Sequence, residues 1–241
     1  FLKTALAVVC GVVLLAAIGL GAAVGIAVQS LPSFEALKTQ PRGQMIVIKA
    51  MDGSTIVTIG PSYGEWLTSS QLPDTIKTAM VAIEDRKFYR HVGIDPEGIV
   101  RAMVRNLQAG RSVQGGSTIT QQVVKNLFLT NERSYARKVR ELVLALAMES
   151  RFSKDQILEL YLNRVYFGGG AYGVDAASRK FFGHSARSLS LTEASIIAGL
   201  VKAPTRYAPS SDPERARDRA RIVVAAMVDN GDITPAAAER I

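Results

Sequence analysis

The chain has 241 residues, a formal charge of +8 and 48% hydrophobic residues, with two histidines and one cysteine. That length supports one sizeable core with room for a small subdomain. The lone cysteine excludes an internal disulfide or a cysteine-based metal centre, and His91 and His184 alone weigh against zinc chemistry.

Thr4 to Phe34 contains no charged residue, and most of Thr4 to Val28 is Ala, Val, Leu, Ile and Gly. About 20 such residues in a helix cross the hydrocarbon of a bilayer. A retained transmembrane helix over 1–30 is expected, with a cleaved signal peptide as the rival reading. Gly21 and Gly25 form a GxxxG pair, a weak dimerisation signal in so small-residue-rich a helix. Phe1 in place of an initiator Met predicts residues upstream. Lys3 before the helix predicts a cytoplasmic N-terminus, with the rest of the chain on the outer side. Lys3 carries one of the eight surplus charges, so the part after the helix is +7. A basic domain tethered to a membrane suits anionic headgroups or phosphate-bearing substrates, while the alternative is a solvated basic face.

Residues 31–70 are expected to form a juxtamembrane linker with a short β-hairpin. Leu31-Pro32-Ser33 breaks the first helix; Met45–Lys49 and Thr55–Ile59 are β-rich with Asp52-Gly53 between them. After Pro73 the pattern turns helical. Asp74 is a candidate N-cap, and Ile76, Ala79, Met80 and Ile83 recur at helical spacing, which brings Glu84 to the helix end. Ile99 to Leu107 predicts a second helix closed by Gly110, and Thr120 to Leu127 a helix in preference to a strand. Arg133 to Arg151 predicts a long helix with Val139, Leu142, Val143 and Leu146 as its apolar stripe. Ser153 to Gln156 has the form of a capping box leading into Ile157–Asn163. Gly168-Gly169-Gly170 predicts a flexible break, and further helices are expected over Ala176–Phe182, Leu191–Leu200 and Arg215–Asp229.

Several constellations carry chemistry. Glu84 at the end of an apolar helix faces a boundary between core and cleft, where desolvation would make it a better general base. The plainer alternative pairs it with Arg86 or Lys87 on the surface. Glu141 lies one turn after Arg137, with Arg133, Arg140 and Lys138 beside it. This is either a salt bridge on a solvated helix or a carboxylate set among phosphate-holding cations. Gly115 to Gln122 places glycines, hydroxyls and amides together, with Lys125 and Asn126 following. It reads as an anion cradle at a helix start or as a polar edge strand, and it is not a P-loop. Glu159 and Asn163 form an i,i+4 pair expected in a buried polar network, and His91 after Phe88 is expected to pack and hydrogen-bond.

Four ordered motifs carry a resemblance: Glu84-Asp85-x-x-Phe88-x-x-His91-x-Gly93, Gly116 to Gln122 with Lys125-Asn126, Arg137-Lys138-x-x-Glu141, and Ile157 to Asn163 with Tyr161. Together they resemble the peptidoglycan glycosyltransferase domain of class A penicillin-binding proteins and their monofunctional relatives, over about Leu72 to Met227. A fifth motif keeps Arg219 and Met227 but has Ala220 where a second arginine is usual. The resemblance implies a mainly α, lysozyme-like fold with a small jaw subdomain that dips into the membrane, occupying 71–241. It implies polymerisation of lipid II into β-1,4-linked glycan with inversion and release of undecaprenyl pyrophosphate. Glu84 would be the base, and Glu141 with Arg133, Arg137, Lys138 and Lys125 would stabilise the pyrophosphate. Ser117, Thr118, Gln121, Gln122 and Asn126 would bind substrate. Asp85, Phe88, His91, Glu159, Asn163 and Arg219 would support the site. A divalent cation, Mg or Mn, is expected near Glu141, and no organic cofactor. Phe167 and the following glycines would form a mobile part near the membrane. The implied partners are lipid II, the growing strand, the membrane and other cell-wall synthesis or division proteins, but no nucleic acid. The implied location is the inner membrane, single-pass, with the catalytic domain on its periplasmic face. No serine is followed by lysine three residues on, so no transpeptidase centre is present; the expectation is a fragment of a bifunctional protein, with a monofunctional enzyme as the alternative. A lytic, lysozyme-like enzyme and a membrane-tethered binding protein are the rival functions.

Overall fold

The structure is a computed structural model that describes residues 2–40, 46–110, 115–130, 132 and 134–239. It is mainly α, with two small sheets. Helix α1 (Leu2–Ser30) is, among the described residues, the one helix long and apolar enough to cross a membrane. Its last turns are not free of the rest. Ala27 and Leu31 are buried against the core, α1 packs on α6, and Arg151 Nη1 donates to the carbonyls of Val28 and Leu31 at 2.7 and 2.5 Å. An arginine at these otherwise unpaired carbonyls closes the helix end and suits its dipole.

The segment 31–70 contains a helix absent from the sequence reading, α2 (Phe34–Thr39), capped by Ser33. Leu37 of α2 and Leu67 are fully buried in the same core as the later helices. The hairpin pairs β1 (Ile46–Lys49) with β2 (Thr55–Ile59) antiparallel across Asp52-Gly53; Met45 lies outside the described residues. A second sheet joins distant segments. The strand β3 (Ser62–Tyr63) runs parallel to β5 (Ala171–Tyr172), which pairs antiparallel with β4 (Tyr166–Gly168). The triple glycine is therefore a tight turn rather than a flexible break. Gly168, Gly169 and Gly170 all have positive φ, which permits the turn, and Gly170 accepts from the Ser62 N–H. Phe167, expected in a mobile part, is fully buried.

Helix α3 (Asp74–Glu84) buries Ile76, Ala79 and Met80; Pro73 rather than Asp74 occupies its cap position. Helix α4 (Pro96–Ala109) ends on Gly110 in a left-handed conformation. The next helices are α5 (Ile119–Phe128), α6 (Tyr135–Arg151) and α7 (Lys154–Arg164), the last with the expected capping box. After α8 (Val174–Phe182) come α9 (Leu191–Leu200), the short α10 (Pro204–Tyr207), α11 (Pro213–Asp229) and α12 (Pro235–Ala238). Packing forms two groups, α3 with α9 and α11, and α5 with α6 and α7. The α6 stripe differs from its sequence reading. Its buried positions are Glu141, Ala145, Ala147 and Met148, while Val139 is exposed.

Candidate active site

A cleft of about 840 Å³ opens between the two helix groups, with α4 along one side. Its floor begins at the end of α3. Asp85, buried and one residue beyond Glu84, accepts from His91 Nε2 at 2.9 and 3.0 Å and from the Ile119 N–H at 2.9 Å. His91 Nδ1 accepts the Gly93 N–H at 3.0 Å, so the ring carries its proton on Nε2. This ties the end of α3 to the start of α5, and Phe88 packs edge-on against His91 from the core. An acid at the first turn of α5 also suits that helix's dipole.

Glu84 is half-buried in the cleft wall. Burial pushes its carboxyl above the ordinary range, and the Asp85 charge adds to this. A hydrogen bond from Gln122 and the charges of Arg219 and Lys202 oppose the rise. Arg86 pairs with Asp229 at 3.5 Å and Lys87 with Glu97, so the surface pairing considered for Glu84 is taken up elsewhere. Gln122 Nε2 donates to Glu84 Oε2 at 2.9 Å, and Tyr161 OH donates to Gln122 Oε1 at 3.1 Å.

The second acid comes from α6. Ser134 caps that helix, and Arg137, Lys138 and Glu141 from its first turns line the cleft. Glu141 is 3% exposed; one oxygen accepts from Arg137 Nη1 at 2.9 Å and the other from Lys138 Nζ. Lys138 also donates to Ser117 Oγ at 3.2 Å, joining the polar segment to α6. Two cations on one buried acid leave a net positive wall, which suits a multiply charged anion.

The Gly116–Gln122 segment is a helix start rather than an edge strand. Thr118 caps α5 in a capping box with Gln121: Thr118 Oγ1 accepts the Gln121 N–H, and Gln121 Oε1 accepts the Thr118 N–H. Thr118 Oγ1 also donates to Gly93 O at 2.7 Å. Both side chains also border the cleft. Lys125 lines the cleft. Asn126 is exposed and not among the cleft residues, because the next helical position is rotated by about 100°. Arg133 lies outside the described residues.

Glu159 and Asn163 form the expected buried network behind the site. Glu159 accepts from Trp66 Nε1 and the Ser69 N–H, both at 2.7 Å; Asn163 bonds both backbone groups of Leu67. Together they fix the chain leading into α3. Arg219, 7% exposed, donates to Gly199 O at 3.3 Å, and burial lowers its pKa. Ala220 is buried in the α11 face.

Charged cleft residues that escaped the sequence reading include Asp95, Arg101, Arg105, Lys202 and Asp229. Arg101 and Arg105 lie at i,i+4 on α4, a spacing that could have marked them as one cationic face. Lys202 follows the apolar α9 with no pattern to give its direction. No group of three or more metal-ligating side chains occurs among the described residues, and both Glu141 oxygens face cations. The protein groups near Glu141 therefore do not fit a resident divalent ion.

The transglycosylase family pattern matches residues 52–228. The chain belongs to the transglycosylase family. Penicillin-binding protein 1A of Aquifex aeolicus is 46% identical over 207 residues, covering 86% of this chain and 28% of that protein. Penicillin-binding protein 1F of Bacillus subtilis is 38% identical over 183 residues, covering 76% of this chain and 26% of that protein. This transglycosylase domain thus spans about a quarter of the length of the curated relatives it matches. A crystal structure of penicillin-binding protein 1A from Haemophilus influenzae aligns with a TM-score of 0.49 at 22% identity, over 83% of this chain and 20% of that one.

Proposed function

We propose that this domain polymerises lipid II, joining disaccharide units into β-1,4-linked glycan and releasing undecaprenyl pyrophosphate. The observation that carries the reading is one cleft containing Glu84, whose burial raises its pKa, and a buried Glu141 clamped by Arg137 and Lys138. Glu84 takes the proton of the acceptor sugar's 4-hydroxyl. That oxygen attacks C1 of the α-linked donor as the C1–O bond to pyrophosphate breaks, inverting the centre. In inverting sugar chemistry the attacking group sits between well-separated catalytic groups. Pyrophosphate leaves as an anion, so cations replace the protonating acid, and Arg137, Lys138 and Lys125 stabilise its charge. Glu141 holds the first two in place. Ser117 positions Lys138 and meets the donor phosphates. Any divalent ion would be held by the pyrophosphate itself.

The substrate's lipid requires the cleft to face a bilayer. Val100, Met103, Val104 and Leu107 on α4 are exposed beside the cleft, and α1 supplies the anchor. Exposed apolar side chains on a helix next to a lipid-substrate site suit partial immersion. We place the domain on the periplasmic face, with other cell-wall synthesis or division proteins as further partners.

Incubation with lipid II in detergent tests the reading. Glycan polymer with released polyprenyl pyrophosphate, lost in Glu141→Gln, supports it. Cleavage of preformed glycan without polymer would assign a lytic enzyme instead.

A further inference from the structure

We propose that Tyr161 is a positioning residue for the base: its hydroxyl locks the Gln122 amide so that the amide nitrogen holds one oxygen of Glu84. This rests on the reading of Glu84 as general base.

The orientation of the amide follows from its neighbours. A carboxylate oxygen only accepts, so the group facing Glu84 Oε2 at 2.9 Å must be the Gln122 NH₂. Gln122 Oε1 then faces Tyr161, whose hydroxyl must donate at 3.1 Å. Burial and the nearby charges of Glu84 and Asp85 hold that phenol well above its usual range, so it remains a donor. Three helices thus fix one carboxylate: α7 supplies Tyr161, α5 supplies Gln122 and α3 supplies Glu84. With Oε2 held, proton acceptance falls to Oε1.

The hydroxyl is not needed for packing. Tyr161 is 1% exposed in the core, and a phenylalanine would fill the same space. A buried hydroxyl is costly unless bonded, and its bond here goes to the residue that touches the base.

Other charges reach Glu84 without fixing its direction. Asp85 flanks it just past the end of α3, Arg219 faces it from α11, and Lys202 from beyond α9. Across the cleft stand Arg137, Lys138 and Glu141 on α6, with Arg101 and Arg105 on α4. These set the background potential, whereas Gln122 supplies the directed bond. A donor to the charged carboxylate favours ionisation. Loosening the amide should therefore raise the pH at which the base loses its proton.

The test measures kcat, KM and the acidic limb of kcat/KM on the full chain in detergent, with lipid II as substrate. The variants are Tyr161→Phe, Gln122→Met, the double substitution and, as a separate arm, Glu84→Gln. Loss of one such bond should lower kcat in Tyr161→Phe by about 3- to 10-fold, with KM nearly unchanged. Its acidic limb should move to higher pH, and the double variant should be no worse than Gln122→Met alone. An unmoved limb in Tyr161→Phe, or multiplicative losses in the double variant, would overturn the proposal. If Tyr161→Phe does not fold, an unmoved limb in Gln122→Met overturns it. Wild-type polymerisation by Glu84→Gln would remove the base reading itself. An inactive Glu84→Gln beside an unaffected Tyr161→Phe would remove the Tyr161 proposal alone.

Discussion

Asp85 offers the sharpest test of how the site is held. Its carboxylate bonds His91 Nε2 and the buried Ile119 N–H, joining the residue after Glu84 to the helix that carries Gln122. Asp85→Ala leaves the Ile119 N–H unpaired, at a cost of about 1–3 kcal/mol, and removes a charge-assisted bond to His91 of about 1.5–3 kcal/mol. The two share one carboxylate and do not add fully, so about 3 kcal/mol is expected for the variant. For a domain of this size that corresponds to a fall in Tm of about 6–12 °C. Asp85→Asn keeps one acceptor but turns an NH₂ toward a donor, so it should fall between. Thermal unfolding in detergent reads the shift, and lipid II turnover should drop in the same order. An Asp85→Ala Tm within about 1 °C of wild type would refute the claim that this carboxylate holds the two helices together.

The raised pKa of Glu84 gives two pH effects. As a base it must be ionised, so kcat/KM should fall through an acidic limb above the usual carboxylate value of about 4.3. Because folding raises this pKa, the charged form costs stability once pH exceeds the folded value, and the cost vanishes below the unfolded one. Glu84→Gln should therefore raise Tm at neutral pH relative to wild type, with the difference closing at acid pH. Gly93 has φ +95°, and a Cβ there would sit 3.0 Å from Ala145 O, so Gly93→Ala should destabilise by about 1–3 kcal/mol in denaturant unfolding. Arg151→Met frees the carbonyls of Val28 and Leu31, so hydrogen exchange should quicken over 28–31 and stay unchanged in α9.

The core helices were legible because their burial follows helical spacing. Ile76, Ala79 and Met80 all point inward, and Ile83 reaches the cleft wall. The same reasoning failed on α6. Its inward positions near the cleft are taken by Glu141 and small alanines, so spacing of large apolar residues picked Val139, which faces out. The glycines at 168–170 signalled conformational freedom but not its use; a two-residue strand paired across more than a hundred residues has no local signature. Residues 31–70 read as a linker because their composition is mixed, yet Leu37 and Leu67 are held in the core by partners far away in sequence. The two acids were legible from their neighbours. What surrounds them was less so: Thr118 and Gln121 cap α5 as well as bordering the cleft, and the sequence pattern of a cap and of a ligand donor is the same. The Tyr161–Gln122–Glu84 chain depends on three helices meeting, which spacing within any one of them cannot reveal.

The most direct test of the account is elongation of glycan from lipid II by Glu84→Gln under conditions where the folded variant is at least as stable as wild type. The account predicts no detectable polymer and no released polyprenyl pyrophosphate from this variant, while wild type yields both. Polymer from Glu84→Gln at the wild-type rate would contradict the assignment of Glu84 as the base.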